Sequence, residues 1–154
     1  MKMTPEFTKA QANMQPGVIT STGFLGNDRR NLADIIEADR ETMSKLGIDF
    51  ELAAARMRHL MEEGRKGLGE PVTVDNKWLV RTDEARGFLA SPFEDGIFRK
   101  VNIEVWAPGE SEDSSNKILF TELSLHLFER YHFMQGKGSP FRIEPDDLQA
   151  ILLL

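Results

Sequence analysis

The stretch EEGRKGLGEPVTVDNKWLVR, Glu62 to Arg81, decides the fold class, because the spacing of apolar residues changes within it. Before it, Leu52, Ala53, Met57, Leu60 and Met61 recur at helical spacing and predict a helix over about 50–65. After it the period is two. Val72 and Val74 lead into an Asp75-Asn76 turn and are answered by Trp78 and Val80, which predicts a hairpin. Gly64, Gly67 and Gly69 punctuate the change. A chain that is helical first and β-like afterwards, without regular alternation of the two, belongs to the α+β class.

Working upstream, Leu32, Ile35, Ile36, Met43 and Leu46 form the stripe of a preceding helix, with Asn27 or Asp28 expected as its N-cap. Gly47 suits a left-handed C-terminal position, Ile48 can fold back onto Met43, and Asp49 can cap the next helix. Two helices joined so tightly form an αα-hairpin or a helix-turn-helix. Farther upstream, Thr4 and Pro5 open a short helix with Phe7, Ala10 and Met14 on one face, ended by Pro16-Gly17.

Working downstream, KVNIEVWA alternates, PGESEDSSN is an acidic loop, and KILF reads as a returning strand. Thr121 can cap a helix that runs to about Met134, ended by Gly136 and Gly138. SPFRIEP is extended, and Pro145 opens a last short helix that ends in Leu152-Leu153-Leu154. Such a terminus packs on the core or completes a subunit interface. The expectation is one domain, 1–154. It has an N-terminal arm (1–17), a helical hairpin (27–66), a small mostly antiparallel sheet (70–121) and C-terminal helices (122–154) packed on the sheet.

The 154 residues are 40% hydrophobic and 29% charged, enough for one core. The formal net charge of −6 disfavours generic binding to phosphate backbones, so a nucleic-acid partner is not expected. The absence of cysteine removes disulfides, thiolate metal sites and thiol nucleophiles. No secretory pattern and no membrane-length apolar run is present, which points to a cytoplasmic protein.

Two stretches carry partial resemblances. TGFLG, Thr22 to Gly26, resembles the glycine fingerprint of extended short-chain dehydrogenases, which implies a nicotinamide dinucleotide at a helix N-terminus. Thr20 stands where the first glycine of that fingerprint belongs, Pro16 spoils the preceding strand, and a helix follows where a second parallel strand is required. A plain loop entering a capped helix accounts for the same residues. SKLGIDFELAAARMRHLMEEG resembles the turn and recognition helix of winged-helix regulators, with Arg56, Met57, Leu60 and Gly64 in the characteristic places. That resemblance, covering Asn31 to Thr82, implies that VTVDNKWLVR is the wing and that Arg56, Arg58 and His59 meet the major groove. Within Asp49–Lys66, however, four basic residues are balanced by four acidic ones, and nothing breaks the preceding helix.

The candidate site residues lie mainly elsewhere. In HFMQGKGSPFR, His132, Lys137, Ser139 and Arg142 could hold a small anionic ligand on a glycine-rich loop. The same residues also suit a glycine C-cap with cations at the negative helix end. Asp39 interrupts an apolar stripe and so needs an arginine partner, a functional pocket or a solvent edge. Glu94 and Asp95 form an acidic turn that could sit near Lys137 or Arg142. Glu122, His126 and Glu129 share a helix face with the composition of a metal site, but a solvent-facing strip of charge pairs explains them as well, and no metal is expected. No cofactor is indicated, and the sequence leaves enzyme and binding module both open. The leading expectation is a self-associating binding or interaction protein. The alternatives are a small enzyme or ligand sensor at Gly136–Arg142, and a winged-helix-like regulator.

Overall fold

Gly64 is the residue at which helix meets sheet. The computed structural model describes residues 1–154. Its elements are α1 (Pro5–Asn13), α2 (Leu32–Leu46), α3 (Phe50–Arg65), β1 (Val72–Val74), β2 (Trp78–Ala90), β3 (Ile97–Trp106), β4 (Lys117–Thr121), α4 (Glu122–Tyr131) and α5 (Pro145–Leu152). The fold is α+β, with a meander of order β1-β2-β3-β4 in which every neighbour is antiparallel. A Cβ on Gly64 would press into the side chains of Val80 and Thr82, so glycine lets α3 lie directly on β2.

Two apolar clusters result. The larger one packs α3, α5 and the sheet around Met57, Leu60, Val80, Ile103, Val105 and Phe120. The smaller one joins α1, α2 and the Gly23–Gly26 loop to α4 around Met14, Phe24, Ile35 and Phe133. Helix α4 serves both, with Leu125 and Phe128 in the first and Leu123 and Leu127 in the second. Leu52 is not part of either; it is exposed, and Ala54 takes its place on the buried face of α3.

Most helix ends follow the expected chemistry. Thr4, Asp49 and Thr121 each accept an N–H from the first turn of the helix they open. Gly47 has φ of 70°, and the Ile48 N–H reaches back to the Met43 carbonyl. Two boundaries differ. The N-cap of α2 is Asn31, whose side chain accepts the Asp34 N–H at 2.8 Å, not Asn27 or Asp28. The Asp28 carboxylate is unavailable because Arg30 and the Lys137 N–H occupy it. Helix α4 stops at Tyr131 rather than Met134, with His132 in the left-handed region at φ of 58°, which frees Gly136 and Gly138 for another contact.

β2 extends beyond the expected hairpin through Ala90 and pairs with β3 across an irregularity between Ala85 and Phe88. Gly87, with φ of 95°, carries the extra length of this bulge. The chain end packs on its own core. Ile151 and Leu152 are buried, the Trp78 indole N–H donates to the Ile151 carbonyl at 2.7 Å, and Arg56 donates to the carbonyls of Leu152 and Leu153. No helix is long and apolar enough to cross a membrane.

Asp39 finds an arginine. Arg142 donates to both of its carboxylate oxygens at 2.8 Å, and the two side chains are only 7% and 6% exposed. Removing one member of such a pair strands the other charge in a dry site. Arg142→Ala is therefore expected to lower unfolding free energy by about 3–5 kcal/mol in urea titrations. The double replacement Asp39→Leu with Arg142→Met is expected to cost less than the single change. A single variant as stable as the parent would contradict this.

Candidate functional site

The two glycine loops that each resemble a phosphate cradle hold one another. The Gly136 N–H donates to the Phe24 carbonyl at 3.0 Å, and the Asn27 N–H donates to the Lys137 carbonyl at 2.9 Å. A Cβ on Gly136 would overlap the Leu25 carbonyl, and one on Gly26 would overlap the backbone of Lys137 and Ser139. Backbone atoms cannot step aside as a side chain can, so both positions require glycine. The anion at this junction is supplied by the chain itself. Asp28 accepts from the Arg30 guanidinium and from the Lys137 N–H, and Arg30 holds its carboxyl well below the usual carboxylate range.

The expected ligand set at Gly136–Arg142 therefore does not converge. Lys137 projects into solvent while its backbone serves the clasp. Arg142 and Asp39 neutralise each other, and the partner raises the Arg142 pKa further. The Ser139 hydroxyl donates to the Gln135 side-chain oxygen at 3.3 Å. His132, the C-cap of α4, is stacked on Phe50 of α3 at 3.9 Å, and burial lowers its pKa. Ser139, Arg142 and Asp39 fix the loop from behind instead of presenting themselves to a ligand.

The other candidate groups are also engaged within the chain. Glu122, His126 and Glu129 separate to Arg99, Asp95 and Arg58 respectively, and no cluster of metal-ligating side chains forms. Arg56 caps the C-terminal helix, and His59 bonds Asp75, so the α3 residues expected at a nucleic-acid groove serve intramolecular bonds. Glu94 and Asp95 approach neither Lys137 nor Arg142. Glu94 pairs with Lys9 of α1, whereas Asp95 accepts from the Tyr131 hydroxyl at 2.6 Å and lies 2.9 Å from His126 Nε2. The β2–β3 tip thereby pins α1 and α4 together, with Phe93 stacked on Tyr131 and Phe98 on His126.

A cavity of about 240 Å³ opens beside the clasp. Phe24, Leu123 and Val101 form its buried floor, and Leu89 and Phe141 complete the apolar wall. Its mouth carries the exposed Asp83, Arg99, Lys100 and Asn102. Compared with family models, curated protein sequences and solved structures, the chain matches none. The cavity's chemistry thus has to be read from its own residues.

Gln135 is the informative one. It is 3% exposed, has φ of 70°, and lines the cavity. Its backbone carbonyl accepts from Arg142 and its side-chain oxygen from Ser139, while its amide nitrogen has no acceptor in the protein. The sequence offered no signal for it, because a glutamine after a helix end is unremarkable without its fold partners. Asp83, Lys100 and Asn102 were equally hidden, since a charged or polar residue on a strand ordinarily faces solvent.

Two measurements check this geometry. Gly136→Ala is expected to destabilise by about 3 kcal/mol or more, because the new methyl group meets backbone. Tyr131 is the chain's single tyrosine, so phenolate absorbance follows it alone. Burial and the Asp95 carboxylate push its pKa up to about 12. The neutral phenol therefore stabilises the fold fully below about pH 10 and loses that contribution as pH rises through about 12. Burial raises the Asp95 carboxyl, but hydrogen bonds from Ser91, Tyr131 and His126 outweigh it and hold it at about 2. Its contribution is thus present above about pH 4 and lost as pH falls through about 2. In Asp95→Asn the tyrosine midpoint is expected to fall only part of the way towards about 10, because the contribution of burial remains, and an unchanged midpoint would contradict the pairing.

Proposed function

We propose that the protein is a self-associating binding module whose β2 strand pairs with β2 of a second copy. The observation that carries this is the free edge of β2. β1 covers only Trp78–Val80, so Arg81–Ala85 and Phe88–Ala90 pair with β3 on one side and with no strand on the other. A row of unpaired donors and acceptors is a template for another strand.

The side chains favour one antiparallel arrangement. With Ala85 on a two-fold axis, Glu84 of each copy stands opposite Arg86 of the other, and Asp83 stands opposite the vacant Gly87. Arg86 makes no salt bridge within its own chain, whereas Glu84 shares only Arg65. Opposite charges directly across a pair contribute about 0.2–1 kcal/mol each, and a shift in register that brings Glu84 onto Glu84 is penalised. Phe88 and Ile97, 61% and 66% exposed, lie on the same face of the hairpin and add apolar area next to the axis. The charges and the bulge blunt indiscriminate edge pairing, and a self-complementary partner satisfies the charges.

Sedimentation velocity over a concentration series tests the proposal. The parent is expected to dimerise, Arg86→Glu and Phe88→Glu to shift it towards monomer, and Glu84→Arg added to Arg86→Glu to recover association. A parent that stays monomeric throughout, or a dimer indifferent to these changes, would refute it.

A further inference from the structure

The cavity beside Gln135 has a pattern of free groups that matches one kind of small molecule. Asp83 and Lys100 stand at its mouth on neighbouring strands. The register sets Asp83 opposite Asn102 and Lys100 opposite Ala85, so the two charges are diagonal neighbours on one face of the hairpin. Neither forms a salt bridge within the chain. Arg99, also at the mouth, is already held by Glu122 at 3.4 Å. The mouth therefore offers one free cation, one free anion and, directly across from the anion, the amide of Asn102.

Behind the mouth the wall is apolar, formed by Phe24, Leu89, Val101, Leu123 and Phe141. A cavity of about 150 Å³ is enough to admit benzene. The volume of about 240 Å³ has room for a ring together with a short polar head. Gln135 supplies one further feature. Ser139 fixes its amide oxygen, and its amide nitrogen makes no hydrogen bond within the chain and stays free to donate to a ligand in the cavity.

We infer that this cavity binds a free α-amino acid with a large apolar side chain. The ligand's carboxylate meets Lys100, its ammonium meets Asp83, and its side chain enters between Phe24, Leu123 and Phe141. An acceptor at the far end of the side chain, such as a phenol oxygen, satisfies Gln135. A simple carboxylate would leave Asp83 unpaired and a simple amine would leave Lys100 unpaired, so the zwitterion is the complementary species.

Amide correlation spectra titrated with L-tyrosine, L-phenylalanine, phenylacetate and phenethylamine test the inference. Both amino acids are expected to shift the amides of Phe24, Leu89, Val101 and Leu123 saturably, with tyrosine binding at least as tightly as phenylalanine. Phenylacetate and phenethylamine are each expected to bind about tenfold more weakly, a loss of about 1.4 kcal/mol. Lys100→Met should weaken phenylalanine and phenylacetate but not phenethylamine, and Asp83→Asn should do the reverse for the two analogues. Both positions are exposed, so neither change threatens folding. The inference is overturned if no probe gives saturable shifts, if the shifts fall outside the cavity, or if the analogues bind as tightly as phenylalanine. Tyrosine binding well below phenylalanine would overturn the part assigned to Gln135.

Discussion

Asp39 is a carboxylate set into the apolar face of a helix, and Arg142 is a guanidinium sealed beneath a loop; each is tolerable only because of the other. Their bond draws the Gln135–Arg142 segment down onto α2. One guanidinium nitrogen also donates to the Gln135 carbonyl at 2.9 Å, so the same side chain that neutralises Asp39 sets the backbone of the loop. Once the loop is placed, Gly136 and Lys137 meet Phe24 and Asn27, and the two glycine stretches close on each other. The small core around α1, α2 and α4 and the floor of the cavity both depend on that closure.

The glycine loops show how a local pattern can serve a different end from the one it resembles. Backbone donors beside glycines are what a phosphate would take, yet here a carbonyl from the opposite loop and the Asp28 carboxylate take them. The glycines are needed in either case, because close approach of backbone is the common requirement. What separates a cradle from a clasp is whether the donors already have acceptors. That is a property of residues more than a hundred positions apart, and no local spacing encodes it.

Features that depend on neighbours in sequence were legible. The change of period at Gly64, the Schellman ending at Gly47, the caps at Thr4, Asp49 and Thr121 and the mostly antiparallel sheet after Gly69 all follow from local chemistry. The need of Asp39 for an arginine was legible from its place on the stripe, although which arginine was not. The candidate site was much less so. Lys137, Ser139, Arg142 and His132 looked like a set because they are close in sequence, but the end of α4 at His132 turns them in different directions. Gln135, Asp83 and Lys100 come from separate elements, and only the β2–β3 register and the clasp bring them to one cavity.

The two glycine loops hold one another backbone to backbone, and this lock makes them part of the folded core rather than a flexible gate. Native-state hydrogen exchange of the Gly136 and Asn27 amides tests this, because these two N–H groups make the backbone–backbone bonds between the loops. Both are expected to exchange only with global unfolding, with opening free energies equal to those of the Val80 and Ile103 amides in the sheet. Exchange of Gly136 and Asn27 at the rate of an open surface loop, with the sheet still protected, would contradict it.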